Sequence, residues 1–386
     1  MAHKSIEEIN EKIKKGKAVV VTAEEVIDIF DDMGSRKAAE YVDVVTTGTF
    51  GAMCSSGAFL NFGHSNPPIR MSRVWLNDVP AYAGVAAVDA YIGATEQSKS
   101  VGMEYGGAHV IEDLIAGKDI KLYAESAGTD CYPRKEITTT ININNINQAY
   151  MYNPRNAYQN YSAACNMSDK IIHTYMGTLL PNGTNVTYCT AGELSPLLND
   201  PEYRTIGLGT RVFIGGAQGY VAWEGTQHNP DQKRGENGVP QTLAGTLAMI
   251  GNLREMSTRF IRAAVYQGYG VSLFVGIGIP IPILDEDMLI KTAVRNSEIF
   301  TDIVDKSGRE GIIRKVSYAE LRSGSVELKG KKVHSSPLSS LKVAREIADL
   351  LKEQVQKGEF LLTQPVQSLP RHNKVNTLEI RGYGDE

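Results

Sequence analysis

Gly106-Gly107-Ala108-His109-Val110-Ile111-Glu112-Asp113-Leu114-Ile115-Ala116-Gly117 is followed by Ile120-Lys121-Leu122-Tyr123-Ala124 and then by Glu125-Ser126-Ala127-Gly128-Thr129-Asp130-Cys131-Tyr132-Pro133-Arg134-Lys135. The first run reads as a helix opened by two glycines and stopped by Gly117. The second reads as a strand. The third puts Cys131 between a glycine-bearing turn and a proline, at a break between elements. Helix, strand and reactive loop in succession predict a mixed α/β fold, in which chemistry collects beyond strand ends. Arg134 and Lys135 follow the cysteine closely, and cations favour the thiolate, the nucleophilic form of the side chain. Taken alone, the segment fits equally a primed thiol and a cysteine in an inert polar loop.

A second segment has the same organisation. Residues 42–47 read as a buried strand running into Gly48-Thr49-Phe50-Gly51-Ala52-Met53-Cys54-Ser55-Ser56-Gly57-Ala58-Phe59-Leu60-Asn61-Phe62-Gly63-His64. Small residues let a backbone approach a ligand, and successive free N–H groups hold an anion. The alternative is a tight strand-turn with a buried, inert cysteine.

Outward from these two stretches, residues 5–17 predict an opening helix capped by Ser5, with Ile6, Ile9 and Ile13 at helical spacing. Thr22 caps a second amphipathic helix, so that 5–35 forms a helical N-terminal segment. Residues 79–94 are small and apolar and are expected in the interior. Residues 137–149 open as a β signal and pass into asparagines, and Tyr150, Tyr152, Tyr158 and Tyr161 follow as pocket-lining or surface rings. Residues 212–214 form a strand into Gly215-Gly216-Ala217-Gln218-Gly219, a turn suited to a carboxylate or phosphate but without the dinucleotide fingerprint. Residues 243–269 are expected to be partly helical, with Met249, Leu253 and Met256 as core. Residues 271–283 read as a strand and rigid turn, Asp285-Glu286-Asp287 cap a short helix, and 340–357 is an amphipathic helix.

Composition narrows the function classes. The chain has 386 residues, 42% hydrophobic and 22% charged, with a net charge of −4. That balance does not point to nucleic acid or an anionic membrane as the main partner. No apolar run reaches the roughly 18 residues of a spanning helix, and the N-terminal residues lack a signal peptide's apolar centre; a cytoplasmic protein is expected. Four scattered cysteines make neither a disulfide framework nor a CxxC metal or cluster motif. Glu224 and His228 are a possible acid/base pair, and without a third ligand no metal site is expected. Cys165 and Cys189 read as structural.

At the two cysteine segments the chain resembles the homocysteine biosynthesis family, the archaeal and bacterial aspartate-semialdehyde sulfurtransferases. The residues that carry the resemblance are those at 53–64 and 128–135, with Gly215-Gly216-Ala217-Gln218-Gly219 and Gly276-Ile277-Gly278-Ile279-Pro280-Ile281-Pro282. The resemblance extends over essentially the whole chain and implies one large catalytic domain, 1–386, without the CBS modules that some members carry. It implies incorporation of sulfide sulfur into L-aspartate semialdehyde to give L-homocysteine, with a persulfide on the cysteine matching Cys131. It also implies that no cofactor is bound by this chain and that electrons come from a separate ferredoxin-like iron–sulfur protein. On this expectation Cys131, Cys54, Arg134 and His64 (or His109) are catalytic, Cys54 pairing with Cys131 as a resolving thiol. Ser55, Ser56, Thr129, Lys135, Gly215, Gly216 and Gln218 bind substrate, and a homo-oligomer is possible. Competing expectations are a thiol-dependent aldehyde or acyl enzyme without sulfur transfer, and a non-catalytic sulfur-carrier or scaffold subunit.

Overall fold

The computed structural model describes residues 3–156, 158–308 and 311–379. As expected it is mixed α/β, with seven α-helices and several sheets among the described residues. The largest sheet runs in the order Ile261–Tyr266, Gly270–Gly278, Arg211–Ile214, Ala217–Glu224, Leu247–Asn252, Gln148–Asn156, Gly57–Asn61 and Asp89–Gly93, with Thr49–Ala52 added on Gly270–Gly278. Its pairings are antiparallel. Alternation sorts its side chains. Ala58, Leu60, Met151, Val221 and Met249 face the main core, while Phe59, Tyr150 and Tyr220 stand on the outer face, 38–42% exposed. The predicted helix forms at Gly107–Ile115 and packs on this core through Val110, Ile111 and Leu114.

A second, six-stranded sheet runs in the order Ile312–Ser317, Phe300–Asp305, Ala163–Cys165, Asn185–Tyr188, Lys331–Pro337 and Ser325–Leu328, with its own apolar cluster. The remaining unit is terminal. Ile6–Lys14 is closed by a Ser5–Glu8 capping box, and Ile6, Ile9 and Ile13 pack with Ile347, Leu351 and Val355 of Leu341–Gln356. A three-stranded sheet, Val20–Thr22, Val44–Thr46 and Pro280–Pro282, lies beside them.

Three expectations are corrected. Residues 243–269 hold no α-helix: Leu247–Asn252 and Ile261–Tyr266 are strands, with only the single 3-10 turn Leu253–Glu255 between them, and Leu247 and Met249 are buried opposite Asn156 and Asn153. Residues 79–94 are only partly interior, because they form the short strands Val79–Ala81 and Asp89–Gly93 with Tyr82 64% exposed between them. Gly215 and Gly216 form a two-residue hairpin turn joining Arg211–Ile214 to Ala217–Glu224, with φ of +62° and +104°. That turn is tucked against Met256, Ser257 and Ile261, and Gln218 donates to the Glu359 carbonyl at 2.9 Å. These three residues serve the hairpin and are not among the residues lining the cavity described below.

Candidate functional site

The main cavity, about 380 Å³, lies between the two large sheets. Its construction starts at the turn Met53–Ser56, closed by Ser56 N–H donating to the Met53 carbonyl at 3.0 Å. The buried side chain of Asn153 holds this turn from across the sheet. Its amide nitrogen donates to Ser56 Oγ at 2.8 Å, and its oxygen accepts from Ser55 Oγ at 2.8 Å and from Arg155 N–H at 3.0 Å. Register slips between Asn153 and Asn156, a bulge that turns Arg155 out of the ladder and onto the cavity wall. Cys54 stands exposed at the same turn and lines the mouth, with Ser55 beside it. Ser56 instead stays behind the wall, its hydroxyl committed to Met53 and Asn153.

Six tyrosines line the walls: Tyr158, Tyr161, Tyr175, Tyr266, Tyr269 and Tyr318. Edge contacts link Tyr158 to Tyr161 (5.0 Å), Tyr161 to Tyr175 (6.5 Å) and Tyr175 to Tyr269 (6.3 Å). Burial raises the phenols of Tyr158, Tyr161, Tyr266, Tyr269 and Tyr318, the last to about 12.

Cys189, expected to be structural, is on this wall too. Gly51 makes room for it: a Cβ at Gly51 would stand 3.0 Å from the Cys189 sulfur. Burial pushes the Cys189 thiol up to about 11, against a lowering by the Ala52 N–H, so it is protonated at neutral pH. Cys165 is fully buried in the second sheet. Brief iodoacetamide treatment of the native chain is therefore expected to label Cys54 and Cys131, with Cys165 and Cys189 reacting only after denaturation. Peptide mapping reads the order, and early labelling of Cys189 would contradict its raised pKa.

Cys131 occupies a different place. Thr129 and Tyr132 exchange backbone hydrogen bonds at 2.9 and 3.1 Å, leaving Asp130 and Cys131 at the tip of the loop between Ile120–Glu125 and Glu136–Ile141. Its sulfur is exposed and lies 3.5 Å from Thr129 Oγ1. The His64 ring stacks on Tyr132 at 6.0 Å. Arg134 donates from Nε and Nη2 to the Pro67 and Asn66 carbonyls, both at 3.0 Å, tying this loop to the 66–68 segment. Lys135 is exposed, its side chain covering Gly128. Thus Cys131, Thr129, His64 and Arg134 come together at one corner, whereas Cys54 and Ser55 are at the cavity. The strand Gly57–Asn61 separates the two places, covering about 13 Å at roughly 3.3 Å per residue. Cys54 lines this cavity and Cys131 is not among its lining residues.

Two histidines are otherwise engaged. His109 Nδ1 accepts from Gly106 N–H at 3.1 Å at the helix start, and burial lowers its pKa despite Glu112 and Asp113. His228 is fully buried, its Nδ1 accepting from Thr246 N–H at 3.0 Å and its Nε2 lying 3.1 Å from the Pro370 carbonyl. It forms no acid/base pair with Glu224. Among the described residues no three His, Cys, Asp or Glu side chains converge as metal ligands.

Residues missed by sequence reasoning are Arg155, Cys189, Tyr175, Tyr266, Tyr269, Ser272 and Tyr318. The only local signal was the density of tyrosines after residue 150.

Residues 18–362 match the family model described as "Homocysteine biosynthesis enzyme, sulfur-incorporation". The chain belongs to that family. It is accordingly an enzyme of sulfur incorporation in homocysteine biosynthesis. Among its relatives in the family, the L-aspartate semialdehyde sulfurtransferase of Methanosarcina acetivorans is 54% identical over 382 residues, 98% of this chain and 74% of the relative. The protein of the same name from Methanocaldococcus jannaschii is 52% identical over 389 residues, 96% and 74% of the two chains. An uncharacterized protein of Methanothermobacter thermautotrophicus is 29% identical over 331 residues, 83% and 72% of the two chains. No solved structure matches.

Proposed function

We propose that this chain is an L-aspartate semialdehyde sulfurtransferase that converts L-aspartate 4-semialdehyde and sulfide into L-homocysteine. The observation that carries the reading is the 54% identity to a sulfurtransferase of that name across 98% of the chain. The net reaction joins the aldehyde, hydrogen sulfide, two electrons and two protons into a thiol and water. Those electrons come from a separate reduced iron–sulfur protein, ferredoxin-like in kind.

Cys131 carries the sulfur as a persulfide. Loading it from sulfide removes two electrons from the sulfur pair, and an external disulfide takes them, its S–S bond breaking to give two thiols. Transfer to the aldehyde with release of the Cys131 thiol and product then consumes four electrons and four protons, so each turnover draws four electrons from the iron–sulfur protein: two for the net reaction and two that match those carried away by the reduced disulfide. An exposed loop tip suits this role, since both the sulfur source and a protein reductant can reach it. Arg134 holds the loop and keeps a positive charge near the thiolate, and His64 is the nearby proton carrier. Thr129 lies beside the thiol and, with Lys135, contacts incoming sulfide. The aldehyde occupies the cavity, where Cys54 and Ser55 meet it.

Since the two thiols are apart, either the hairpin tip travels or a second copy of the chain supplies it. Purified chain with sulfide, aldehyde and a low-potential iron–sulfur donor is expected to form homocysteine, and its absence under those conditions would defeat the reading. Cys54→Ala is expected to keep the persulfide on Cys131 while losing homocysteine formation at least about tenfold; normal turnover removes Cys54 from the scheme. Mixing C54A with C131A restores activity only if sulfur passes between copies.

A further inference from the structure

Arg155 is the one formally charged residue among the described cavity-lining residues, and none of them is Asp or Glu. Its backbone is fixed at both ends: its N–H donates to Asn153 Oδ1 at 3.0 Å and its carbonyl accepts from Ser55 Oγ at 3.1 Å. No carboxylate among the described residues pairs with its guanidinium. A half-buried cation without an anion is a cost the fold would shed unless a ligand supplies the anion. Two further cavity-lining groups make the same point. Ser272, 1% exposed, and Tyr266 each have a buried hydroxyl oxygen without a hydrogen-bond partner. The bulge at Asn153–Asn156 is what turns Arg155 out of the ladder, and the bond from Ser55 to its carbonyl sets Arg155 on the same stretch of cavity wall as Cys54.

We propose that Arg155 binds the α-carboxylate of an amino-acid substrate in this cavity, with the Ser272 and Tyr266 hydroxyls taking up the remaining polar groups of that substrate. The inference rests on the sulfurtransferase reading for the identity of the substrate, and on the cavity alone for its chemical class. A guanidinium matches a carboxylate through two parallel N–H···O bonds, which fixes orientation as well as charge. Anchoring the carboxylate end leaves the aldehyde end free to lie against the mouth. The tyrosine wall excludes water without adding a competing charge.

The test separates this site from the reaction. Calorimetry measures binding of L-aspartate 4-semialdehyde to wild type, R155Q and R155K without sulfide or reductant, and steady-state assays follow homocysteine. R155Q is expected to bind the aldehyde about 10–100-fold more weakly and to raise KM by a similar factor, with kcat within about threefold. R155K, with a point charge but no fork, is expected to fall between them. 3-Aminopropanal, which lacks the carboxylate, is expected to bind wild type no better than it binds R155Q. R155Q binding the aldehyde as tightly as wild type, or wild type binding 3-aminopropanal as tightly as the semialdehyde, overturns the proposal; the second comparison needs no variant to fold. Binding by wild type without homocysteine formation would sink the sulfurtransferase reading and leave the carboxylate site standing.

Discussion

Cys131→Ser is expected to keep its fold and to lose sulfur incorporation by roughly a thousandfold or more, the scale of losing a covalent nucleophile. The fold is safe because the residue is exposed at the tip of a turn closed by Thr129 and Tyr132 backbone bonds, and its sulfur meets Thr129 Oγ1 at 3.5 Å. Serine fits the same turn and the same hydroxyl contact. A surface change of this kind is worth within about 0.5 kcal/mol, so thermal unfolding should coincide with wild type. Activity is different in kind, since a hydroxyl does not form a persulfide. Two readouts check it: homocysteine formed from the aldehyde, sulfide and reductant, and the mass increment of one sulfur on the Cys131 peptide. Loss of both with an unchanged melting curve supports the carrier role. Homocysteine formation at the wild-type rate would move the sulfur to another thiol.

Asp43→Ala is expected to cost about 3 kcal/mol of stability, toward the low end for a broken buried ion pair because one partner reaches water. Asp43 is 1% exposed. It accepts from Lys4 Nζ at 3.0 Å, from Lys12 Nζ at 2.6 Å and from Val19 N–H at 3.0 Å. The Lys12 side chain is 44% exposed and the Lys4 side chain 12%. The carboxylate thereby pins Ile6–Lys14 to the sheet that follows. Removal leaves a lysine and a backbone donor with reduced partners in a packed setting. Burial alone would raise the Asp43 pKa, but the hydrogen bonds from Lys12, Val19 N–H and Lys4 outweigh it and the net shift is downward. A lowered folded-state value means that the stabilisation is present above the unfolded carboxylate pKa near about 4 and is lost as pH falls through the folded value. Urea unfolding at neutral pH should show the full difference between wild type and the variant, narrowing in acid. Equal midpoints at neutral pH would remove Asp43 from the account of stability.

Local interactions made the helices readable. Ser5, Asp285 and Ser340 each cap the helix that follows them through an N–H three residues on, a contact visible in sequence spacing alone. The same reach explains the glycine turn after Arg211–Ile214 and the position of both thiols just after strands. Residues 243–269 misled because a methionine and leucine pattern fits a buried helix as well as a strand, and only pairing with Ala217–Glu224 and Gln148–Asn156 decides between them.

By itself, then, the sequence determined the capped helices, the thiol-bearing turns after strands and, through the resemblance at 53–64 and 128–135, the family. The tertiary structure alone decided what those turns face. Ser55 meets Asn153 and Arg155 across separations of 98 and 100 residues, and the cavity wall draws on residues from Thr49 to Leu338. For the same reason Cys189, expected to be structural, lines the cavity, while Cys131 stands at an exposed loop tip. A side chain's environment is set by strand pairing between distant segments, and neither spacing nor composition encodes which segments meet.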